Sequence, residues 1–558
     1  MMGALARKVR QVMADPALRR YLLERALGRM APPSAFVSGH PPYLPGLVLA
    51  GRPQPPDFSV LPDRAPVAPL ELDLPGCRVL VDPADPGAPF RAKYADIETF
   101  LALHRFAWLP LLGDAVDPAW VGALWHQWRR HHGQPGPGWD WHPYTAAERA
   151  INLLDYGRRQ GLPGPVDDSL AVLAAHAPAI AARLEYGGPH YTGNHLANNG
   201  RGLYRIGLDL GWDEAAEMGL RILTAEAERI FAPSGILREG SSHYHLLLTR
   251  NYVSCWLAAC RHRRPEADFL AGVAGRAMAV ARHLLLPGGL PLVGDISPDC
   301  PPAHLTADWA YGLPMAEAAA LAALPLPDLD ISALAADGWL RGDFGPWSGL
   351  WHAAPQGWPF MPGHGHHDLG SFELHWRGQP LFIDPGRGAY GETGDAALYR
   401  SAAVHNGLQL DGADPTPPNR PYYDDSFRKR IGGDIPALSA NPDRVRLVHH
   451  GFRAQGADRL VREWHFSDSR LEIRDAVDGN GHHKLSRHFV TPFPVRRDGT
   501  DVLVDSPAGT VRVRADAVLT VAPLSHWIAY GRAAPATAIV AEVAATLPWQ
   551  GLVSIDAV

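Results

Sequence analysis

The sequence has little cysteine: four residues, Cys77, Cys255, Cys260 and Cys300, in a chain of 558. None stands in CxxC spacing, and four thiols in so long a chain make no dense disulfide framework. Cys255 and Cys260 fall in an apolar helical stretch and read as free thiols. Positive charge is also short. The chain has 52 Lys and Arg against 58 Asp and Glu, a net charge of −6, which excludes an overall field drawing it to nucleic acid or anionic membrane. An anionic substrate would have to meet a locally basic pocket. No run of about 18 apolar residues occurs, so no membrane-spanning helix is expected. The segment 272–292 comes closest and is broken by Arg276, Arg282 and His283. The N-terminus is basic, yet no apolar h-region with a small-residue cleavage site follows. The cytoplasm is therefore the default expectation, and the periplasm the alternative if a leader was removed.

What is present is enough apolar residue, 46% against 20% charged, to bury large cores, and an excess of histidine, 27 residues. Residues 1–92 read as a charged amphipathic helix followed by a proline-rich cover with short strands such as Arg78–Val81. From 93 to 340 the pattern is helical. Asp117-Pro118 is a cap and first-turn proline, and Thr145-x-x-Glu148 reads as a capping box. Further helices are expected near 168–184, 194–210, 213–230, 240–262 and 267–286, as antiparallel hairpins in a bundle or ring. From 341 to 558 the texture is that of strands, with Ser371–Trp376, Pro380–Asp384, Val445–Val448, Leu460–Phe466 and Leu471–Arg474 separated by Gly, Asp and Asn turns. A helical half thus precedes an antiparallel β-sandwich, and a site between the two halves would draw residues from both.

Four segments carry candidate chemistry. In Gly363-His364-Gly365-His366-His367-Asp368, His364 and His366 share a side of an extended chain. With Asp384 and His405 they offer His and carboxylate donors from three segments, a three-ligand zinc set, or else simple polar surface. Asn194, His195, Asn198 and Asn199 lie at helical spacings on one face; helix capping is the plainer reading of any one Asn. Tyr244 stands between His243 and His245 at a helix start, where nearby cations would lower its phenol pKa and suit it to acid–base work, unless it is a core tyrosine with a satisfied hydroxyl. Trp141, His142 and Tyr144 concentrate aromatics as a sugar-stacking platform or as core. Arg250, Arg387 and Arg400 would recognise a carboxylate or sulfate bidentately, or form structural ion pairs.

In order along the chain, Gly193-Asn194-His195-Leu196 with Asn199, Glu239-Gly240-Ser241 with Tyr244, Gly363-His364-x-His366-x-Asp368-x-x-Ser371-Phe372-Glu373-Leu374, Asp384-Pro385-Gly386, and Arg400-Ser401-x-Ala403-x-His405-Asn406 resemble the heparinase II/III-like polysaccharide lyases. The resemblance implies an (α/α) toroid of helical hairpins followed by an antiparallel β-sandwich, and β-elimination at a uronic acid. It implies that Asn194 binds the uronate carboxylate, helped by His195 or His364, and that Tyr244 protonates the leaving O4 and for some substrates takes the C5 proton. His366, Asp384 and His405 would hold a structural zinc; no organic cofactor is implied. The partner would be an anionic uronate-containing polysaccharide or oligosaccharide. The family often has Glu where Asn198 stands, which takes one orienting partner from His195. Two further readings are a catalytically silent glycan-binding protein and a zinc hydrolase built on His366, Asp384 and His405.

Overall fold

The structure, a computed structural model, describes residues 9, 12–13, 15–29, 39–44, 46, 48–188, 191–354, 363–432 and 435–558. The helix expected over 1–30 falls partly outside these. Within them a helix runs Pro16–Ala26, opened by Asp15, whose carboxylate accepts the Leu18 N–H at 3.0 Å. Its Leu18 and Tyr21 pack on Tyr423 and Phe427 of the β half. The proline-rich cover contains one hairpin, Leu70–Leu74 with Cys77–Val81. Leu44, Leu61, Leu72 and Val81 of the cover share a core with Trp120, Trp125 and Leu153 of the helices, so the cover packs on the toroid.

Helix Pro118–His132 begins as its sequence dictates, with the Asp117 side chain on the Ala119 N–H at 3.0 Å and proline at the first position. The next helix, Pro143–Gln160, does not use the expected capping box. Pro143, which has no N–H to satisfy, starts the helix ahead of Thr145. Thr145 then lies in the first turn with its hydroxyl unpartnered, and Glu148 pairs with Arg201. Helices follow at Val166–Ala181, His195–Asp209, Asp213–Ile230, Ser242–Arg261 and Ala267–Leu284.

The hairpin His195–Asp209/Asp213–Ile230 is held close by glycine. A Cβ on Gly219 would stand 2.3 Å from the Tyr204 nitrogen and 2.6 Å from the Gly200 carbonyl oxygen, and one on Gly207 2.3 Å from the Ala216 nitrogen. These contacts are backbone, which cannot rotate aside. Gly219→Ala is expected to cost at least about 1–3 kcal/mol, the usual penalty of overpacking, read as a lower urea midpoint in chemical unfolding.

Strands take over at Trp339. Among the described residues, three antiparallel sheets of eight, four and four strands form the second half. Their inner faces share one core containing Trp351, Phe372, Trp464, Ile473, Phe489, Val504 and Ile539. The strands Ala457–Phe466 and Arg470–Gly479 alternate buried with half-buried or exposed residues along most of their length, the signature of sheets with one face on a core. The helical toroid followed by an antiparallel sandwich is thus the architecture. The segment 291–297 ties the halves together. Val293 O accepts from Ser242 N at 3.0 Å, the Asp295 N–H donates to His364 O at 2.9 Å, and Ser297 N donates to His243 Nδ1 at 3.1 Å. Gly294 is obligatory there: its φ is +76°, and a Cβ would meet Gly240 O at 2.4 Å and His364 O at 2.7 Å.

Candidate active site

Two helix starts and two loops meet at this junction. Asn194 occupies the N-cap position of His195–Asp209, yet its side chain caps nothing. Its amide instead donates to Glu239 Oε2 at 2.8 Å and lies 3.2 Å from His364 Nε2. Tyr244 is fixed by the start of Ser242–Arg261, where the Ser241 hydroxyl accepts the Tyr244 N–H at 3.1 Å. Its ring stacks on His364 with centroids 3.7 Å apart, and its hydroxyl meets the Tyr390 hydroxyl at 2.5 Å. Asn194 and Tyr244 of the helical half therefore converge with His364 of the β half. Together they offer an amide, a phenol and an imidazole.

Asp295 organises the β side of this cluster. Its carboxylate reaches His364 Nδ1 at 3.3 Å, His366 Nε2 at 3.0 Å and Arg387 Nη1 at 2.8 Å. Burial disfavours the Asp295 anion, but these hydrogen bonds and charges outweigh it and hold its pKa far below the carboxylate range. With Nδ1 donating to Asp295, His364 presents Nε2 as a lone pair, and the Asn194 amide donates toward it.

His195 stands on a second wall. Its Nδ1 meets Glu185 Oε1 at 2.7 Å, its ring lies 4.6 Å from that of Tyr144, and 49% of its side chain is exposed to the cleft. The enclosing walls disfavour the imidazolium, but the Glu185 carboxylate more than offsets them and raises its pKa; Glu185 itself is held down at about 2, burial being outweighed by His195. The partner that Asn198 does not supply thus comes from Glu185, in the segment ahead of the helix. Asn199 secures that carboxylate, with Nδ2 on Glu185 Oε2 and Oδ1 on the Glu185 N–H, both at 2.9 Å.

The phenol of Tyr244 behaves opposite to expectation. Burial pushes its pKa well above 10, and the Tyr390 hydrogen bond only moderates this. The charges that act on it are the Asp299 and Asp295 carboxylates, which raise it further.

Several expected contacts are corrected. Trp141 is 1% exposed, donates to His132 O and packs against Trp128 and His176; it is core, not a sugar platform. Trp139, 56% exposed and stacked at 5.0 Å on His142, is the aromatic that faces outward. Tyr144 reaches the site by donating to Asp299 at 2.6 Å. Asn198 is buried, with Oδ1 on Arg201, and Asn199 is spent on Glu185. Arg387 gives its donors to Asp295, Gly391 O and Ala396 O, the structural ion-pair reading. Arg400 pairs with Glu392 at 2.9 Å. Arg250 lies outside the cluster and lines a cavity within the helices.

The proposed zinc ligands are neighbours. His366 and His405 have centroids 5.2 Å apart, and both His366 Nδ1 and His405 Nε2 are buried without a hydrogen-bond partner. Asp384 faces away from those two nitrogens, accepting from His405 Nδ1 at 3.0 Å and from the Gly386 N–H at 3.0 Å. Among the described residues no group of three or more His, Cys, Asp or Glu side chains is arranged to hold a metal.

Glu185, Asp295, Asp299 and Tyr390 are the site residues that sequence reasoning missed. None of the four stands in a segment that the motifs single out, whereas Glu239, which holds Asn194, does.

Residues 327–550 match the family model described as "Heparinase II/III-like, C-terminal". No curated protein matches the chain by sequence. Among solved structures, heparinase III is similar at 16% identity and a TM-score of 0.64, covering 83% of this chain and 78% of that one. Heparan sulfate lyase HepC from Pedobacter heparinus is similar at 17% identity and a TM-score of 0.53, covering 83% of this chain and 77% of that one. At such identities the likeness is one of fold.

Proposed function

We propose, from the match of residues 327–550 to the heparinase II/III-like C-terminal model and the likeness of fold to heparinase III, that this chain cleaves uronate-containing polysaccharide or oligosaccharide by β-elimination. The observation that carries the reading is the meeting of Asn194, Tyr244 and His364 at the junction of the halves, with Asp295 behind His364.

The C5 proton beside a carboxylate is weakly acidic, and its removal needs the carboxylate's charge to be met by fixed donors. The His195 imidazolium, kept protonated by Glu185, supplies one; the Asn194 hydrogen that faces His364 Nε2 in the free protein supplies the other when substrate binds, which also releases Nε2, while the second amide hydrogen stays on Glu239. His364 Nε2, freed as an acceptor by the Asp295 contact at Nδ1, takes the C5 proton. The electron pair forms the C4–C5 double bond as the C4–O4 bond breaks. Tyr244, held neutral by burial, donates its proton to the departing O4. Tyr390, on the same hydroxyl, is placed to return a proton to Tyr244.

The test is a panel of heparan sulfate, hyaluronan, chondroitin, alginate and glucuronan, followed by the absorbance of the unsaturated uronate product. Product from at least one is expected; no unsaturated product from any would overturn the reading.

Glu185→Gln separates the two histidines. Without the carboxylate the raised pKa of His195 falls, so the pH at which activity declines on the alkaline side moves down. A kcat/KM profile against pH, with the His195 ring signal followed by NMR, checks both the shift and its owner.

The zinc expectation stands as a proposal on the two buried, unpartnered nitrogens His366 Nδ1 and His405 Nε2. Asp384 would complete the set by exchanging its bond to His405 for the metal, and zinc there would fix the segment carrying His364. Zinc added to chelator-treated protein is expected to raise the melting temperature of the wild type and to leave that of His405→Ala unchanged.

A further inference from the structure

The helices line an open pocket of about 170 Å³, room for on the order of five waters, and much of its lining is charged. Six guanidinium groups reach it. Five are answered by carboxylates: Arg105 by Asp299 and Glu98, Arg158 by Asp155 and Glu317, Arg201 by Glu148, Arg205 by Asp155 and Asp209, and Arg261 by Asp209 and Glu317. The sixth, Arg250, takes part in no hydrogen bond or ion pair among the described residues. It is half-buried, and burial depresses its pKa. Besides burial, the groups acting on it are Cys300, Arg201, Asp155 and Glu148, of which Arg201 opposes its charge. His304, also on the lining, adds no cation, because burial holds its pKa at about 4.

Removing a guanidinium from water without a partner is costly, and a planar five-donor fork suits an oxyanion with two or more oxygens. The neighbouring cations already have carboxylate partners, whereas Arg250 has none within ion-pair distance among the described residues. We propose that Arg250 marks a second anion site inside the helical half, which takes one sulfate, phosphate or carboxylate group, either as a free ion or borne on a sugar. The site is not remote from the cleft. Asp299 belongs to the cavity lining, and its carboxylate also accepts from Arg105 at 2.5 Å and from Tyr144 at 2.6 Å, whose ring contacts His195.

The experiment follows thermal unfolding of the wild type and of Arg250→Met at matched ionic strength in chloride, sulfate, phosphate and glucuronate, with calorimetric titration of the same compounds into the wild type. In chloride alone, Arg250→Met is expected to be at least as stable as the wild type, since it loses an unanswered charge. With the occupying anion at a hundredfold excess over its dissociation constant, the melting temperature of the wild type should rise by roughly 2 °C more than that of Arg250→Met. The difference between the two proteins is the readout, because sulfate and phosphate raise any folded chain's stability by exclusion. A response to inorganic sulfate or phosphate identifies a free ion; a response confined to glucuronate identifies a sugar-borne group. Equal shifts in both proteins with no heat of binding in the wild type would overturn the proposal. So would a large destabilisation of Arg250→Met in chloride, the mark of a guanidinium serving the fold. No step of the test needs turnover, so it stands or falls apart from the elimination reading.

Discussion

Tyr244→Phe is expected to lower kcat by about 10²–10⁴-fold, the usual worth of a positioned general acid, while the fold persists. The ring keeps its stacking on His364, and the loss to stability is one hydrogen bond, to Tyr390, worth about 1 kcal/mol. KM should change little, because the phenol proton matters where O4 departs and not where the sugar binds. Activity within tenfold of wild type would remove Tyr244 from the chemistry. A wild-type kcat that climbs as the phenol ionises would show that the phenolate, not the phenol, is the working form, contrary to the neutral state that burial imposes.

Asp295→Asn should have the largest effect on stability. The carboxylate is 1% exposed and is shared by His364, His366 and Arg387. Losing its charge leaves the Arg387 guanidinium, 4% exposed, without its counter-ion. Breaking a buried pair in this way costs about 3–5 kcal/mol, read by urea unfolding at neutral pH. The pH dependence has a definite sign. Because the folded-state pKa of Asp295 is depressed, its contribution is full above the unfolded carboxylate value of about 4 and is lost as the pH falls below that value. The stability of Asp295→Asn should therefore be flatter than that of the wild type on the acid side. Its activity should also fall, because His364 Nδ1 would face an amide able to donate as well as accept, and the ring would no longer be held in one tautomer. Unchanged acid stability in Asp295→Asn would refute the hub role.

The parts of the site that could be read from the sequence are those where several chemical groups crowd into a few residues. Asn194, Tyr244, His364 and His405 each sit in such a segment, and the change from helical to strand periodicity near residue 340 is equally local. The partners could not be read because each is an ordinary acid in an unremarkable stretch. Glu185 lies in the loop before His195–Asp209, and Asp295 in an apolar turn after Ala267–Leu284; only folding brings them to an imidazole. The aromatic cluster shows the same limit from the other direction. Trp139 and Trp141 are two residues apart in a single helical turn, and nothing in their composition says that the first faces solvent and the second the core. Asn198 misleads for a related reason: a helix suggests an orienting carboxylate at a fixed spacing along itself, and the structure supplies it from outside the helix.

The helix Pro16–Ala26 packs on Tyr422, Tyr423 and Phe427, and its Glu24 meets Arg430 at 2.9 Å. These partners lie about 400 residues further along the chain. At about 5–20 residues per second, a ribosome needs roughly 20–80 s to make them after the helix has emerged. Until then this helix has an apolar face and no surface to cover it. The helical half can close on its own contacts in that interval, but the clasp between the chain's beginning and its β half is among the last joints to form. Synthesis speed, and whatever shields an unpaired amphipathic helix from aggregation, thus become determinants of yield.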